Sequence, residues 1–534
     1  MKSPLSAPWT DTTLRLLVYA LSAVFTTWPL ATAPAALAVG GPRTDVYNAL
    51  WSYWFVAQGL AEGRFPMFTT LLDYPTGGRL LVADPLNAAL AVPITLLAGP
   101  TAAYAGMILL HLTLGAFFAD QLGRRLGGRG WIAGLAWAWA PIVRAHLQNG
   151  SSEAAASAWL PLAGLLVVGA LTPGSTRRRD AARMGLAGLG LALAAVGGGW
   201  YAGLGAFVFA GAFTLLHPQG RRLWPALLVG ALLLLPVAGA YHALSNAPDG
   251  LVDIKDPEIL SRLRRTVGAA DPRTFFMPGD FRSPDFARLE QNPSDLVHTA
   301  YLGFVLLGLA LWKGRERALW ITVVVAVVLA MGPVLVIAGG PVPWHMRALP
   351  LPYAALEGLP GFDGLSLLFR IATVAPLALG LLADRAPPWL GALIVAETLA
   401  LSPARSLPMT TDAGPPAPLV VLAAAPEGAV ISLPAGYART RLFEQSVHHH
   451  PLTASLNSGV NAAGLRVLAD LRKVVNHELE WPALVAAAQA QGVRYVVVHP
   501  KVPIEATFQT SIRAIKANAT VLAKDGERVV YSIW

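Results

Sequence analysis

Apolar residues fill the first three quarters of this chain in continuous runs, not in the interrupted stripes of a soluble helix or strand. A helix needs roughly 17 to 25 such residues to cross a bilayer, because every backbone polar group must be satisfied within the segment. Runs of this kind predict spans near 13–38, 101–122, 130–145, 155–172, 183–198, 201–216, 223–241, 299–312, 317–338, 367–384 and 388–402. The fold class is therefore an α-helical polytopic membrane protein with about eleven transmembrane helices over residues 1–402. The run 86–98 is short for a crossing and reads as a juxtamembrane helix. Ala31 to Ala38 imitate a signal-peptidase site, but the many later spans favour a retained first helix. Beyond residue 403 the pattern turns soluble: 429–433 and 493–499 read as strands, 463–475 and 481–491 as helices, and 520–534 as a hairpin around Asp525 and Gly526. This predicts a C-terminal α/β domain over 403–534. No repeat of domain-building length recurs.

Composition agrees, since 54% of the 534 residues are hydrophobic and only 13% charged, which excludes an ordinary cytosolic enzyme. A net charge of +9 raises the question of nucleic acid. Its basic residues stand instead in short clusters between apolar runs: Arg124–Arg125, Arg177–Arg178–Arg179, Arg221–Arg222 and Lys313/Arg315/Arg317. That is how cytoplasmic loops of a bacterial inner-membrane protein look, and no nucleic-acid face is expected. With the N-terminus cytoplasmic, the loops 39–100, 146–154, 242–298 and 339–366 and the C-terminal domain fall on the extracytoplasmic side. The absence of cysteine removes disulfides and thiolate chemistry.

Charged and polar residues at the outer rim are few, and a carboxylate beside hydrocarbon must be hydrated, paired or bound. Asp45, directly after the first span, is either a helix N-cap or a general base. Tyr47, Trp51, Tyr53 and Trp54 follow it at a density that predicts a helix lying in the headgroup layer. The second loop holds His146, Gln148, Asn149 and Glu153, which form either a hydrated turn with Glu153 in a helix's first turn, or an acid, base or metal-ligand set. Arg347 and Arg370 invite an anionic partner such as a phosphate; the alternative is a snorkelling arginine, or one paired with Asp363. His448, His449 and His450 read as strand neighbours pointing to opposite faces, a poor chelate. Gly197, Gly198 and Gly199 read as a tight turn, and no P-loop or dinucleotide motif occurs.

The order of these features resembles the GT-C superfamily of polytopic glycosyltransferases, and within it the bacterial YfhO-like membrane proteins. The likeness is carried by Asp45 with Trp51 and Trp54, by Tyr74-Pro75-x-Gly77 and Asp84-Pro85-Leu86-Asn87, and by His146-x-x-Asn149-Gly150 before Trp159-x-Pro161-Leu162. Leu349-Pro350 to Leu359-Pro360-Gly361-Phe362 with Arg370, Phe443-x-Gln445-x-x-x-His449-x-Pro451, and the run from Gly492 to His499 continue it. The resemblance implies an inverting transfer from a polyprenyl-phosphate sugar to an envelope glycan, lipid or protein, with membrane lipids around the spans. It implies Asp45 and Glu153 as catalytic residues, and His146, Asn149, Arg347, Arg370, Trp51, Trp54, Tyr74 and Asp84 as substrate-binding ones. The superfamily's second acidic residue is missing directly after Asp45, so Glu153 is the carboxylate that would complete a divalent-metal site for Mg or Mn. A transporter or flippase of lipid-linked glycans, or a non-catalytic envelope scaffold, are the competing classes. Transport would place charged residues along a pathway, and Glu397 is the notable one inside a span.

Overall fold

The structure, a computed structural model, describes residues 8–42, 44–65, 67–82, 84–155, 158–245, 247–251, 257–266, 268–279, 297–338, 340–345, 347–359, 361–362, 364–402, 409–435, 438–456 and 459–534. Arg43, Pro360 and Asp363 lie outside these residues, and so does the suggested pairing of Asp363 with Arg370.

Helix α1 (Pro8–Thr26) ends well short of the expected first span, and its continuation turns into strand β1 (Leu37–Val39). Helix α2 (Val46–Ala61) follows, then the hairpin of β2 (Phe68–Thr69) and β3 (Gly78–Arg79) and the short α3 (Pro85–Leu90). Helix α4 (Val92–Arg125) fuses the expected juxtamembrane run with the next span. Its kink has a local cause, since Gly99 adopts φ 86° and Pro100 brings no N–H to the ladder. The expected span 130–145 is broken into α5 (Trp131–Ala138) and α6 (Pro141–Gln148), because the residue before Pro141 is driven out of the helical region. A single turn, α7 (Ser152–Ala155), leads to α8 (Trp159–Leu171), α9 (Arg177–Gly197), α10 (Gly199–Leu216) and α11 (Trp224–Ser245). The three glycines form the tight turn between α9 and α10.

Helix α12 (Pro257–Arg264) precedes α13 (Phe304–Lys313) and α14 (Arg317–Ala330), which stops where Gly332 takes φ +79° before Pro333. Two small hairpins follow, β4 (Val336–Ile337) with β5 (Gly340–Pro341) and β6 (Pro343–Trp344) with β7 (Arg347–Ala348). A 3-10 turn over Leu368–Thr373 feeds α15 (Val374–Ala383), and α16 (Gly391–Leu401) ends this part.

Among the described residues, 4 helices are long and apolar enough to cross a hydrocarbon core unaided: Val92–Arg125, Arg177–Gly197, Gly199–Leu216 and Gly220–Leu244. Trp159–Leu171, Phe304–Lys313, Arg317–Ala330, Leu368–Ala383 and Pro388–Leu401 are apolar but shorter. The expectation of eleven full spans is thus corrected: proline and glycine cut several apolar runs into pieces below bilayer length. Leu228, Leu232, Leu233 and Leu235 of α11 remain exposed, as lipid-facing residues must be in a membrane-embedded protein. Glu397 on α16 is no lone charge: its carboxylate accepts from Tyr301 Oη (2.6 Å), Phe304 N (2.6 Å) and Val305 N (2.9 Å), capping the start of α13.

Strand β8 (Thr410–Asp412) pairs antiparallel with β1. Beyond it come α17 (Ala417–Ala423), β9 (Ala429–Leu433), α18 (Ala438–His448), α19 (Ala462–Val475), α20 (Trp481–Ala490), β10 (Val493–Val498), α21 (Ala506–Asn518), β11 (Thr520–Lys524) and β12 (Val529–Ser532). The sheet runs β11-β12-β10-β9, with β9 parallel to β10 and β12 antiparallel to both its neighbours. All of β9 is buried, as fits a strand covered on both faces.

Helix α2 overturns the headgroup-layer reading. Trp51, Tyr53, Trp54 and Phe55 are buried, because α2 packs between α4 and α18. Tyr47 stacks on Phe443 (centroids 4.9 Å), Trp51 Nε1 donates to Gln445 Oε1 (2.8 Å), and Trp54 stacks on His449 (5.3 Å). Tyr74 is held in the same joint, its N–H donating to Leu452 O (3.0 Å) and its carbonyl accepting from Asn461 Nδ2 (2.9 Å). The aromatic loop is therefore a seam between helical bundle and C-terminal sheet. The three histidines stand at the end of α18 and just beyond it, not on a strand, with His448 and His450 buried.

Candidate functional site

Asp45 sits at the N-cap of α2, yet its carboxylate makes no hydrogen bond to that helix's own N–H groups. Its backbone is fixed instead by the second loop, with Asp45 N donating to Asn149 O (3.0 Å) and Gly41 N to Gln148 O (3.2 Å). The two loops approach so closely that a Cβ on Gly150, which has φ +63°, would lie 2.6 Å from Val46 N. Only glycine fits there, and the contact delivers Ser151 to Asp45.

From this contact a chain of polar groups runs across the rim of the bundle. Ser151 Oγ donates to Asp45 Oδ2 (3.3 Å), and Arg370 Nη2 donates to Ser151 Oγ (3.2 Å). Arg370 Nη1 lies 3.4 Å from Glu153 Oε1, and the guanidinium sits 5.9 Å over the Tyr201 ring. Tyr201 in turn accepts from Ser366 N (3.0 Å) and Leu367 N (2.8 Å), anchoring the turn that carries Arg370. At the other end, Arg439 Nη2 meets Asp45 Oδ1 at 2.8 Å. Arg370 Nε is buried with no hydrogen-bond partner among the described residues, a donor still to be satisfied.

Burial raises the Glu153 carboxyl above its usual range, with Arg370 opposing the shift and Asp45 adding to it. Asp84 is fully buried, accepting from Asn87 Nδ2 (2.8 Å) and Ser152 Oγ (2.9 Å). Burial and the charge of Glu153 push it up to about 8, so it is largely protonated at neutral pH. Asn87 links it onward to Gly197 O (2.8 Å) and Trp159 Nε1 (3.0 Å). His146 is buried beside Phe369 (centroids 6.5 Å) with Nδ1 unpartnered among the described residues, and burial, with Arg370 and His298 nearby, holds it well below its usual pKa. Asn149 is occupied in pinning Val297, donating to its carbonyl (2.9 Å) and accepting from its N–H (2.7 Å).

A cavity of about 300 Å³ lies next to Glu153, whose Cγ would be 3.3 Å from a Cβ on the cavity-lining Gly199; Asp45, Ser151 and Arg370 do not line it. Asn48, Trp51 and Ser52 line it from α2, Val82 and Pro85 from either side of Asp84, Gly199 and Trp200 from the start of α10, and Val237 and Tyr241 from α11. Asn48 and Ser52 follow Asp45 at helical spacing, so the face that bears the carboxylate also lines the cavity. Trp200 and Tyr241 are 37% and 42% exposed, which puts one wall on the lipid-facing helix.

The sequence-derived candidates thus divide. Asp45, Glu153 and Arg370 converge; Asp84 and His146 lie buried beside them; Trp51, Trp54 and Tyr74 belong to the seam. Arg347 is exposed on the β6–β7 hairpin, and no described contact ties it to the cluster. Ser151, Asn48, Ser52, Trp200 and Arg439 were missed. Ser151 could have been found inside the loop already singled out, whereas nothing along the chain marks Arg439. The proposed metal pair does not fit a dication: Asp45 faces Arg439, Glu153 faces Arg370, and no group of 3 or more potential metal ligands occurs among the described residues.

No protein-family model and no curated protein sequence matches the chain. Solved structures do. Arabinofuranosyltransferase AftD from mycobacteria superposes with a TM-score of 0.52 at 15% identity, covering 99% of this chain and 40% of that one. The oligosaccharyltransferase AglB from Archaeoglobus fulgidus, solved with an inhibitory peptide and a dolichol-phosphate, gives 0.50 at 14%, covering 92% and 70%. ArnT from Cupriavidus metallidurans, bound to undecaprenyl phosphate, gives 0.49 at 12%, with 98% of each chain covered. This chain therefore spans about two fifths of the length of AftD. The chain shares its overall fold with AftD and AglB.

Proposed function

We propose that this chain is a GT-C-type glycosyltransferase of the YfhO-like kind, moving a sugar from a polyprenyl phosphate to an envelope acceptor on the extracytoplasmic face with inversion. Its membrane part spans residues 1–402 and its C-terminal unit 403–534, with the N-terminus in the cytoplasm. One observation carries the reading: an early carboxylate, Asp45, and a late guanidinium, Arg370, meet through Ser151 beside a cavity with a lipid-facing wall. The dolichol-phosphate of the AglB structure supports the lipid-phosphate class of donor.

The chemistry follows from charge. The acceptor hydroxyl gives its proton to Asp45 as its oxygen attacks the anomeric carbon. The bond from that carbon to the phosphate oxygen breaks, and the prenyl phosphate leaves with the electron pair toward Arg370. A single displacement inverts the anomeric centre. Asn48, Ser52 and Trp200 hold the sugar, and α11 lies along the prenyl chain. No step runs through a metal ion.

Purified protein incubated with labelled prenyl-phosphate sugars releases prenyl phosphate as the acceptor becomes labelled. Asp45→Asn lowers that rate by about 100-fold or more while the protein still inserts and purifies as wild type does. An Asn variant of full activity refutes the role of Asp45, and movement of intact donor without cleavage refutes transfer.

A further inference from the structure

Asp45 is held from outside the membrane part. We propose that Arg439, on helix α18 of the C-terminal unit, is a positioning residue for Asp45, so that both ends of the chain complete the site. The inference rests on the glycosyl-transfer reading above.

Helix α2 meets α18 and the turn after it at successive points running in the same sense: Asp45 with Arg439, Tyr47 with Phe443, Trp51 with Gln445, and Trp54 with His449. The Tyr47–Phe443 and Trp51–Gln445 contacts are buried and, with buried Trp54 stacked on the exposed ring of His449, fix the two helices against each other. The topmost is 37% and 32% exposed, and an ion pair that open adds little to stability. Its effect is geometric. Since Asp45 makes no capping bond, its carboxylate has two side-chain restraints among the described contacts, Ser151 at 3.3 Å and Arg439 at 2.8 Å. Ser151 also receives Arg370, at 3.2 Å. Without Arg439 the carboxylate is free to turn along Ser151 onto Arg370, which moves the base off its place and occupies the cation that receives the leaving phosphate. Arg439 keeps the two charges apart.

The test uses the full-length chain in detergent or vesicles with a labelled prenyl-phosphate sugar. Arg439→Ala lowers kcat by about tenfold or more with donor KM changed less than about twofold, and Arg439→Lys recovers most of the lost rate. Because the chain has no cysteine, Tyr47→Cys with Phe443→Cys reports docking as a cross-link made by a short thiol-specific bifunctional reagent, expected equally with and without Arg439→Ala. If Arg439→Ala keeps the wild-type kcat while Asp45→Asn is inactive, the positioning role is overturned and the transfer reading stands. If Arg439→Ala abolishes the cross-link, Arg439 is a docking residue and the proposal fails. A wild-type chain that cleaves no prenyl-phosphate sugar removes the transfer reading and this inference with it.

Discussion

At the scale of single residues, neighbouring carboxylates have unlike surroundings. Asp45 is half-buried between a hydroxyl and a guanidinium and still reachable from solvent. Asp84 has neutral hydrogen-bond donors and the charge of Glu153 nearby, and is pushed up to about 8. Its folded value lies above the unfolded carboxyl value of about 3.9, so the folded state binds the extra proton. The stability this proton confers is complete below about pH 4 and is lost as pH rises through about 8. Thermal unfolding in detergent is therefore expected to show stability falling across that window, and Asp84→Asn, which keeps a neutral hydrogen-bonding group, is expected to flatten the fall. A variant with the same pH slope as wild type would mean that Asp84 is ionised in the fold.

Among elements, the helix breaks matter more than the helices. Pro141 cuts one apolar run so that α6 ends at Gln148, and Gly150 then turns the chain against Val46 to bring Ser151 to Asp45. The 3-10 turn Leu368–Thr373 supplies Arg370 from the other side. Helix ends also explain Glu397, whose carboxylate satisfies two orphan N–H groups at the start of α13. Glu397→Ala is expected to cost about 1–3 kcal/mol of stability, read as a lower thermal midpoint, with prenyl-phosphate release unchanged. Selective loss of turnover at unchanged stability would instead mark a charged pathway and favour the transport reading.

For the whole molecule, the orientation of the bundle decides whether the site faces the compartment where lipid-linked sugars are consumed. By the positive-inside rule the arginine clusters between helices predict which side is cytoplasmic, and the C-terminal sheet is joined to the N-terminal part through β1–β8 and the α2–α18 seam. Single cysteines can be placed in this cysteine-free chain without background. Asp525→Cys is expected to react with a membrane-impermeant maleimide in intact spheroplasts, and Arg178→Cys only after permeabilisation. The reverse pattern would turn the site toward the cytoplasm and end the proposed reaction.

The sequence by itself determined the kind of element in each part. Long apolar runs predict helices, residues after 403 predict β-branched strands and amphipathic helices, and both classes of element appear in the fold. It also marked Asp45, Glu153 and Arg370, because a charged residue at an apolar boundary needs a partner whatever the fold. Only the tertiary structure decided which partners those are. Hydropathy is a local quantity, blind to the proline and glycine breaks that shorten the spans and to the burial of the aromatic helix by a segment far along the chain. Arg439 has no local signature at all, since an ion pair between distant segments exists only once helix α18 has docked on α2.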